Sequence, residues 1–235
     1  MAVFDVVTAS LTTLLRGGLG MSVRPLGARP KQPLEIFEFE GCPFCRKARE
    51  ALSMLDLEVI VRPCPKRGHR YRDEVIRRGG KAQFPYLVDP NTGQEMYEST
   101  EIVAYLFARY GGSKPPIALG GSGLATLGVV ASGLGRGVAG AYVRASERPD
   151  QQLELYSFEA SPFCRLVRET LCELEIPYLL HNVAKGSPSR AAFVERSGRM
   201  QVPYLVDPNQ GVEMFESGEI IEYLNRTYGA PSAAV

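Results

Sequence analysis

The chain has almost no surplus charge. Among 235 residues, 27 Lys and Arg face 26 Asp and Glu, leaving +1. No global field therefore favours nucleic acid or an acidic membrane as partner. Cysteine is scarce and odd in number. Five cysteines do not make a secreted disulfide framework, and a reducing compartment fits better. Histidine is scarcer still: neither His69 nor His181 can be set beside a nucleophile as its base. Only one C-x-x-C exists, Cys42 to Cys45, so a zinc site would have to recruit Cys64 and His69. Two apolar runs stand out. Residues 1–23 have no basic stretch before them and are interrupted by Asp5, which argues against a secretory signal and for a structural leader helix. The run from Ile117 to Val143 holds eight glycines and Arg136, and reads as a packed or partly irregular linker helix, not a membrane span.

What is present is a repeat. LEIFEFEGCPFCRKARE from Leu34 returns as LELYSFEASPFCRLVRE from Leu153. PYLVDPNTGQEMYESTEIVAYL from Pro85 returns as PYLVDPNQGVEMFESGEIIEYL from Pro203. Even the leaders correspond, RGGLGMSVRP from Arg16 with RGVAGAYVRA from Arg136. The internal twin is a second argument that the leader is structural. With 23% charged and 45% hydrophobic residues, the composition is that of a globular chain long enough for two small cores.

Each copy reads as strand, helix, strand, helix, hairpin, helix. LEIFEF alternates and is rich in branched and aromatic residues. The stretch after Cys42 places Phe44, Ala48, Ala51, Leu52 and Leu55 at helical spacing. EVIVRP is a second strand, HRYRDEVIRRGG a basic helix closed by glycine, and PYLVDPNTGQEMYE a hairpin. STEIVAYLFARYGG is a last helix with Ser99 as its N-cap and Gly111 as its C-cap. The expected organisation is a leader helix at 1–33, a first domain at 34–113, a linker and second leader at 114–150, and a second domain at 151–235. The class is α/β, each domain a mixed four-stranded sheet with three helices plus a leader helix.

The chemistry centres on C-P-F-C. A strand ends just before it and a helix begins at Pro43, whose fixed φ and missing N–H suit a first turn. The sulfur of Cys42 then faces unpaired amides and the positive end of the helix dipole, with Arg46, Lys47 and Arg49 adding positive potential. Such a setting lowers a thiol pKa from about 8.5 into the range of roughly 3.5–7.5. Cys42 is the candidate nucleophile and Cys45 the resolving thiol. An inert buried pair and metal coordination are the competing readings. Cys172 lies in an apolar helical pattern and reads as core.

Two further places suggest what meets that thiolate. Phe84–Pro85 and Val202–Pro203 each precede a strand; a cis bond there would leave the preceding residue's backbone open to an extended peptide. Glu98–Ser99 and Glu216–Ser217 precede the last helices, where N-terminal amides suit a carboxylate and the glutamate an ammonium. Ser99 alone is an ordinary cap; in order with the other two motifs it gains a binding role. A molecule carrying both charged groups, an extended backbone and a thiol fits all three, and glutathione is one. In the basic run Lys66 to Lys81, a solvated helix face competes with a role for one or two side chains at the glycine carboxylate.

C-P-F-C, F-P-Y-L-V-D and Y-E-S-x-x-I, duplicated in order, resemble the glutaredoxin-type thioredoxin fold, specifically the N-terminal domain of glutathione transferases. The resemblance covers Leu34 to Tyr110 and Leu153 to Tyr228, and the whole chain is similar to plastid and cyanobacterial proteins with two such domains in tandem. It implies two tandem thioredoxin-like domains without the all-helical transferase C-terminal domain, and glutathione as cofactor. It implicates Cys42, Pro43, Phe44, Phe84, Pro85, Glu98 and Ser99 in the first domain, with the proline before the third strand, Pro85 and its counterpart Pro203, cis. In the second it implicates Ser161, Pro162, Phe163, Val202, Pro203, Glu216 and Ser217, where Ser161 replaces the attacking cysteine.

The expected function is a glutathione-dependent thiol–disulfide oxidoreductase acting through Cys42 and Cys45 on small or protein disulfides, with a degenerate second glutathione-binding domain. The alternatives are a glutathione transferase or isomerase acting on a small electrophile, and a non-enzymatic glutathione-binding or iron–sulfur carrier module. No metal, nucleic acid or membrane span is expected. The assembly is a monomer with pseudo-twofold domain pairing or a homodimer, in a bacterial or cyanobacterial cytoplasm or, with a transit peptide removed, a plastid stroma.

Overall fold

A computed structural model describes residues 3–121, 136 and 138–230. In the first copy α1 (Val3–Leu15) is followed by β1 (Leu34–Glu38), α2 (Pro43–Met54), β2 (Val59–Pro63), α3 (Arg72–Gly79), β3 (Tyr86–Asp89), β4 (Gln94–Met96) and α4 (Ser99–Tyr110). The second copy repeats β5 (Leu153–Ser157), α5 (Pro162–Glu173), β6 (Tyr178–Asn182), α6 (Arg190–Ser197), β7 (Tyr204–Asp207), β8 (Val212–Phe215) and α7 (Ser217–Tyr228). The second leader expected within 114–150 falls largely on 122–135 and 137, outside the described residues. Among the described residues no helix is long and apolar enough to cross a membrane, and no all-helical domain is present.

In each copy the first strand is central. β1 runs parallel to β2 and antiparallel to β3, which pairs with β4. β5 stands in the same relation to β6 and β7. The two sets of four do not end at their own edges. β2 pairs antiparallel with β6, Val59 opposite Leu180 and Val61 opposite Tyr178, giving one eight-stranded sheet in the order β4-β3-β1-β2-β6-β5-β7-β8. Read from either edge the order is the same, a pseudo-twofold arrangement about the β2–β6 seam.

Alternation along the strands sends side chains to two faces. Leu34 and Ile36 of β1 and Leu153 and Leu155 of β5 join a single core that runs through both copies, with α2, α4, α5 and α7 laid over it. Phe37, Tyr86 and Val88 face the other way, onto Tyr71 and Val75 beside and within α3; Tyr204 and Val206 likewise meet Phe193 of α6. The D-P-N turn is tied to the last helix of each copy. The Asp89 carboxylate, fully buried, accepts the hydroxyls of Tyr105 (2.6 Å) and Tyr110 and the Asn91 N–H at 2.8 Å. Asp207 repeats this with Tyr223 at 2.7 Å, Tyr228 and Asn209.

Where the copies meet, the contact between α2, α5 and the loops before them is ionic and dry. Arg49 bonds Glu38 of its own copy, lies 3.2 Å from Glu40, and reaches across to Glu159 at 3.1 Å. Arg168 mirrors it, reaching Glu40 at 3.1 Å and Glu159 at 3.0 Å. Arg46 pairs with Glu50 and Arg165 with Glu169, and both guanidiniums donate to the Thr12 hydroxyl of α1, at 3.0 and 2.7 Å. Arg16 closes on Glu50 and Arg136 on Glu169 and Asp5. Paired charges tolerate burial only as a complete set, because removing one partner leaves its counterion without compensation. Burial holds Glu40 up, yet Arg168, Arg49 and Arg165 together bring its carboxyl down to about 2. Among the buried arginines and glutamates of this network, Glu38 lacks an acidic twin: its counterpart in the second copy is Ser157.

Candidate functional site

The site starts at the N-terminus of α2. Cys42 is the N-cap, with φ −85° and ψ 118°, Pro43 opens the helix, and the Cys42 sulfur accepts the Cys45 N–H at 3.3 Å. Its thiol is lowered from 9.0 to about 7. The hydrogen bond from the Cys45 side chain contributes most, followed among the favourable influences by the amides of Cys45 and Phe44 and the Arg49 guanidinium, while burial opposes them. Cys45, fully buried, is pushed well above its ordinary value by desolvation and by its bond to Cys42. The two sulfurs are unbridged and unlike: one poised as thiolate near neutrality, the other held as thiol.

The flanking basic residues do not act as expected. Arg46, Lys47 and Arg49 are all buried; Arg46 and Arg49 turn into the contact between the copies and Lys47 turns towards α4 of its own copy. Arg46 is committed to Glu50 and Thr12, and Lys47 donates to Thr100 Oγ1 at 2.7 Å and to the Gly120 carbonyl at 2.9 Å. Of the three, only Arg49 figures among the influences that lower the Cys42 thiol. Among the described residues no three of His, Cys, Asp and Glu gather to hold a metal, and His69 projects into solvent, its side chain 85% exposed.

The peptide bonds Phe84–Pro85 and Val202–Pro203 are both cis. Phe84 packs edge-on to Phe39 at 6.2 Å, and the Arg72 guanidinium lies 4.6 Å from the Phe84 ring centre. The Arg72 Nε is fixed by the carbonyls of Cys64 and Pro65, at 3.1 and 2.7 Å. Phe44 beside Cys42 and Phe163 beside Ser161 remain 43% exposed, an unusual openness for a ring next to a buried sulfur or hydroxyl. The last helix of each copy, α4 and α7, begins one residue earlier than a serine cap requires. Glu98 is the cap residue, with φ 65° and ψ 109°, and Ser99 is the first helical residue, so the expected Ser99 side-chain cap is absent. Glu216 has φ 66° and ψ 110°. A left-handed backbone at a non-glycine residue is costly, and its occurrence in both copies marks these glutamates as held in place. Gln83 donates to Glu98 and Gln201 to Glu216.

In the second copy Phe163, Val202, Pro203, Glu216 and Ser217 of the expected set, joined by Gln201, line a cleft of ≈ 220 Å³, and Ser161 and Pro162 are not among its lining residues. Ser161 caps α5 as Cys42 caps α2, its Oγ accepting the Cys164 N–H at 3.2 Å. Two residues at these grooves escaped the sequence reading. Arg72 was one of a crowd of basic residues, and nothing in the crowd singled it out. Gln83 could have been found, since Gln-x-Pro recurs in QFPYLVD and QVPYLVD.

Residues 36–114 and 155–232 each match the family model described as glutathione S-transferase, N-terminal domain. A curated relative, the glutathione S-transferase-like protein OpS6 of Beauveria bassiana (strain ARSEF 2860), is 32% identical over 78 residues, which are 33% of this chain and 36% of that protein. The match thus spans about a third of the relative's length. Among solved structures, the Leishmania protein TDR1, described as a unique trimeric glutathione transferase, aligns with 87% of this chain and 69% of its own at 12% identity and a TM-score of 0.31.

Proposed function

The chain belongs to the family of the glutathione S-transferase N-terminal domain, which it carries twice, and on that premise we propose that it is a glutathione-dependent thiol–disulfide oxidoreductase. The observation that carries this reading is the pair of unlike sulfurs at the start of α2: Cys42 favoured as thiolate near pH 7, and Cys45 kept protonated behind it. The Cys42 thiolate attacks a disulfide R–S–S–R′. A Cys42–S–S–R bond forms, the R–S–S–R′ bond breaks, and R′–S⁻ leaves to take a proton. Either the Cys45 sulfur, after losing its proton, or a glutathione thiolate then attacks the Cys42 sulfur and frees R–S⁻, leaving a Cys42–Cys45 or Cys42–glutathione disulfide. One further glutathione thiolate reduces the Cys42–glutathione bond, and two in turn the Cys42–Cys45 bond, so that Cys42 is returned as thiolate. Glutathione supplies the electrons and ends as its own disulfide.

The residues Phe44, Phe84, Pro85, Glu98 and Ser99 support this reading by their chemistry. The Glu98 carboxylate suits the ammonium of the γ-glutamyl end, and the first amides of α4 suit its carboxylate. Arg72, whose guanidinium lies beside Phe84, is the candidate partner of the glycine carboxylate. The second domain, with Ser161 in place of the attacking sulfur and its own ≈ 220 Å³ cleft, holds glutathione without exchanging thiols. The place of Ser161 at the helix cap, where the first domain has its sulfur, also favours a second reading: the Ser161 hydroxyl steadies a glutathione thiolate for attack on a small electrophile.

The test is the glutathione-driven reduction of a small mixed disulfide by the full chain. Activity abolished in Cys42→Ser and retained at least in part in Cys45→Ser supports the oxidoreductase. Full activity in Cys42→Ser refutes it. Conjugation of a model electrophile that survives Cys42→Ser and falls in Ser161→Ala assigns the second reading to the second domain.

A further inference from the structure

Two of the three residues before Cys42, Glu40 and Gly41, are held by the other copy. The Glu40 N–H donates to the Cys172 sulfur of α5 at 3.4 Å, and the Cys172 thiol donates to the Gly140 carbonyl at 3.3 Å. The Gly41 N–H donates to that same carbonyl at 3.2 Å. Gly41 has no room for a side chain: a Cβ there would lie 3.0 Å from that of Ala141 and 3.2 Å from the Ala139 carbonyl. The Glu40 carboxylate is gripped by Arg168. Phe39 then accepts the Cys42 N–H at 3.0 Å, so the segment runs without slack from the second domain to the cap residue.

The arrangement is reciprocal, and the reciprocity identifies the device. The counterpart of Cys172 is Ser53. The Ser53 hydroxyl accepts the Glu159 N–H at 3.4 Å and lies 2.9 Å from the Gly20 carbonyl, beneath the segment that carries Ser161. Hydroxyl and thiol do the same work at twin positions. Burial pushes the Cys172 thiol well above its ordinary value, which keeps the proton it donates.

We propose that the second domain is the positioning partner of the first domain's nucleophile: Cys172 and Gly140 fix the segment that presents Cys42, and Glu159 sets how much of the Arg49 charge reaches it. This rests on the reading of Cys42 as the reactive thiol, and assigns the degenerate domain a role that does not depend on its binding any ligand. The groups that act on the Cys42 sulfur are Cys45 and Arg49 from its own helix and Glu38 from β1. The second domain reaches it only through them and through the segment 39–41. Cys172 and Glu159 are therefore positioning residues, not catalytic ones.

Two cuts act in opposite directions. Cys172→Val removes the strut under Glu40, loosens the cap and weakens the amide bonds to the sulfur, so the thiolate forms at higher pH. Glu159→Gln removes a carboxylate that shares Arg49, so more of that cation's field acts on Cys42 and the thiolate forms at lower pH. The measurement is the rate of iodoacetamide alkylation of Cys42 in the full chain against pH, with the adduct located by mass spectrometry. We expect the midpoint to rise by about half a pH unit in Cys172→Val, a roughly threefold slower reaction below the midpoint. We expect it to fall in Glu159→Gln, and to stay in place in Cys172→Ser, which installs the twin residue. An unchanged midpoint in folded Cys172→Val and in Glu159→Gln overturns the proposal, as does a rise in both, which is what general loosening would give. If Cys172→Val does not fold, the sign of the Glu159→Gln change decides alone. Because alkylation needs no disulfide substrate, these outcomes are separate from whether the wild-type chain reduces mixed disulfides.

Discussion

Glu38 is the member of the buried network that the second copy replaced with serine, and changing it to glutamine is the sharpest test of the electrostatics described. Its side chain is 2% exposed and bonded to Arg49, but that guanidinium is shared with Glu40 and Glu159. Desolvation, with those two carboxylates and Cys42 alongside, raises the Glu38 carboxyl from 4.5 to about 7 against the pull of Arg49. Below pH 4.5 the group is protonated in both folded and unfolded chains and contributes nothing to the pH dependence. Between 4.5 and about 7 the folded chain keeps a proton that the unfolded chain has released, so stability falls as pH rises. At ~1.4 kcal/mol per pH unit across that interval, the ionised group costs the fold about 3 kcal/mol above pH 7. Glu38→Gln keeps the shape and removes the charge. Its stability relative to wild type should be near parity at pH 4.5 and should rise by about 3 kcal/mol by pH 8. Urea unfolding of both proteins at a series of pH values measures this. A variant less stable than wild type at pH 8 would show that the Arg49–Glu38 pair is a net gain and would refute the reasoning.

Arg168→Met removes one of the two cations that Glu40 and Glu159 share and leaves Arg49 alone between three buried carboxylates, and should lower stability by about 3–5 kcal/mol in urea unfolding, with partial recovery when Glu40→Gln is added. Asp89→Ala deprives Tyr105, Tyr110 and Asn91 of their acceptor; a loss of about 1–3 kcal/mol is expected, read as a lowered midpoint of denaturation. Wild-type alkylation should report Cys42 with a midpoint near pH 7 and leave Cys45 unmodified below pH 9, and prior labelling of Cys45 would contradict the assigned roles. In a Cys42→Ser background, Glu216→Gln should weaken glutathione binding about tenfold by calorimetry, the loss of one charge-assisted contact.

Much of this was legible in the residues. The duplication fixes the element order, because each strand and helix is read twice, and the α2 cap follows from Pro43 and the strand ahead of it. Local pattern could not show which neighbour a charged residue meets. Arg46, Lys47 and Arg49 look like a field around the thiol when only α2 is in view; Arg46 and Arg49 reach the second copy because the loop before α5 presents Glu159, and Lys47 turns to Thr100 of α4. A signal was available: R-x-x-R-E recurs intact at Arg46–Glu50 and Arg165–Glu169, although the second copy had lost its cysteine. The β2–β6 seam was also hidden, since VIVRP and YLLHN carry no mark of which edge is covered. Ser99 misled because a serine after glutamate reads as a cap, and only the left-handed backbone at Glu98 moves the cap back by one.

The seam between β2 and β6 has a bearing on how the two halves came to differ. A lone half would expose the β2 edge, and an open edge invites another strand. Two separate identical chains closing that edge on each other would have to carry the same residues at both helix starts, so a serine gained at one would be gained at both. Joining them in one polypeptide removes that bond of identity. One half can retain its sulfur chemistry while the other drifts towards support, and neither loses the neighbour that shields it.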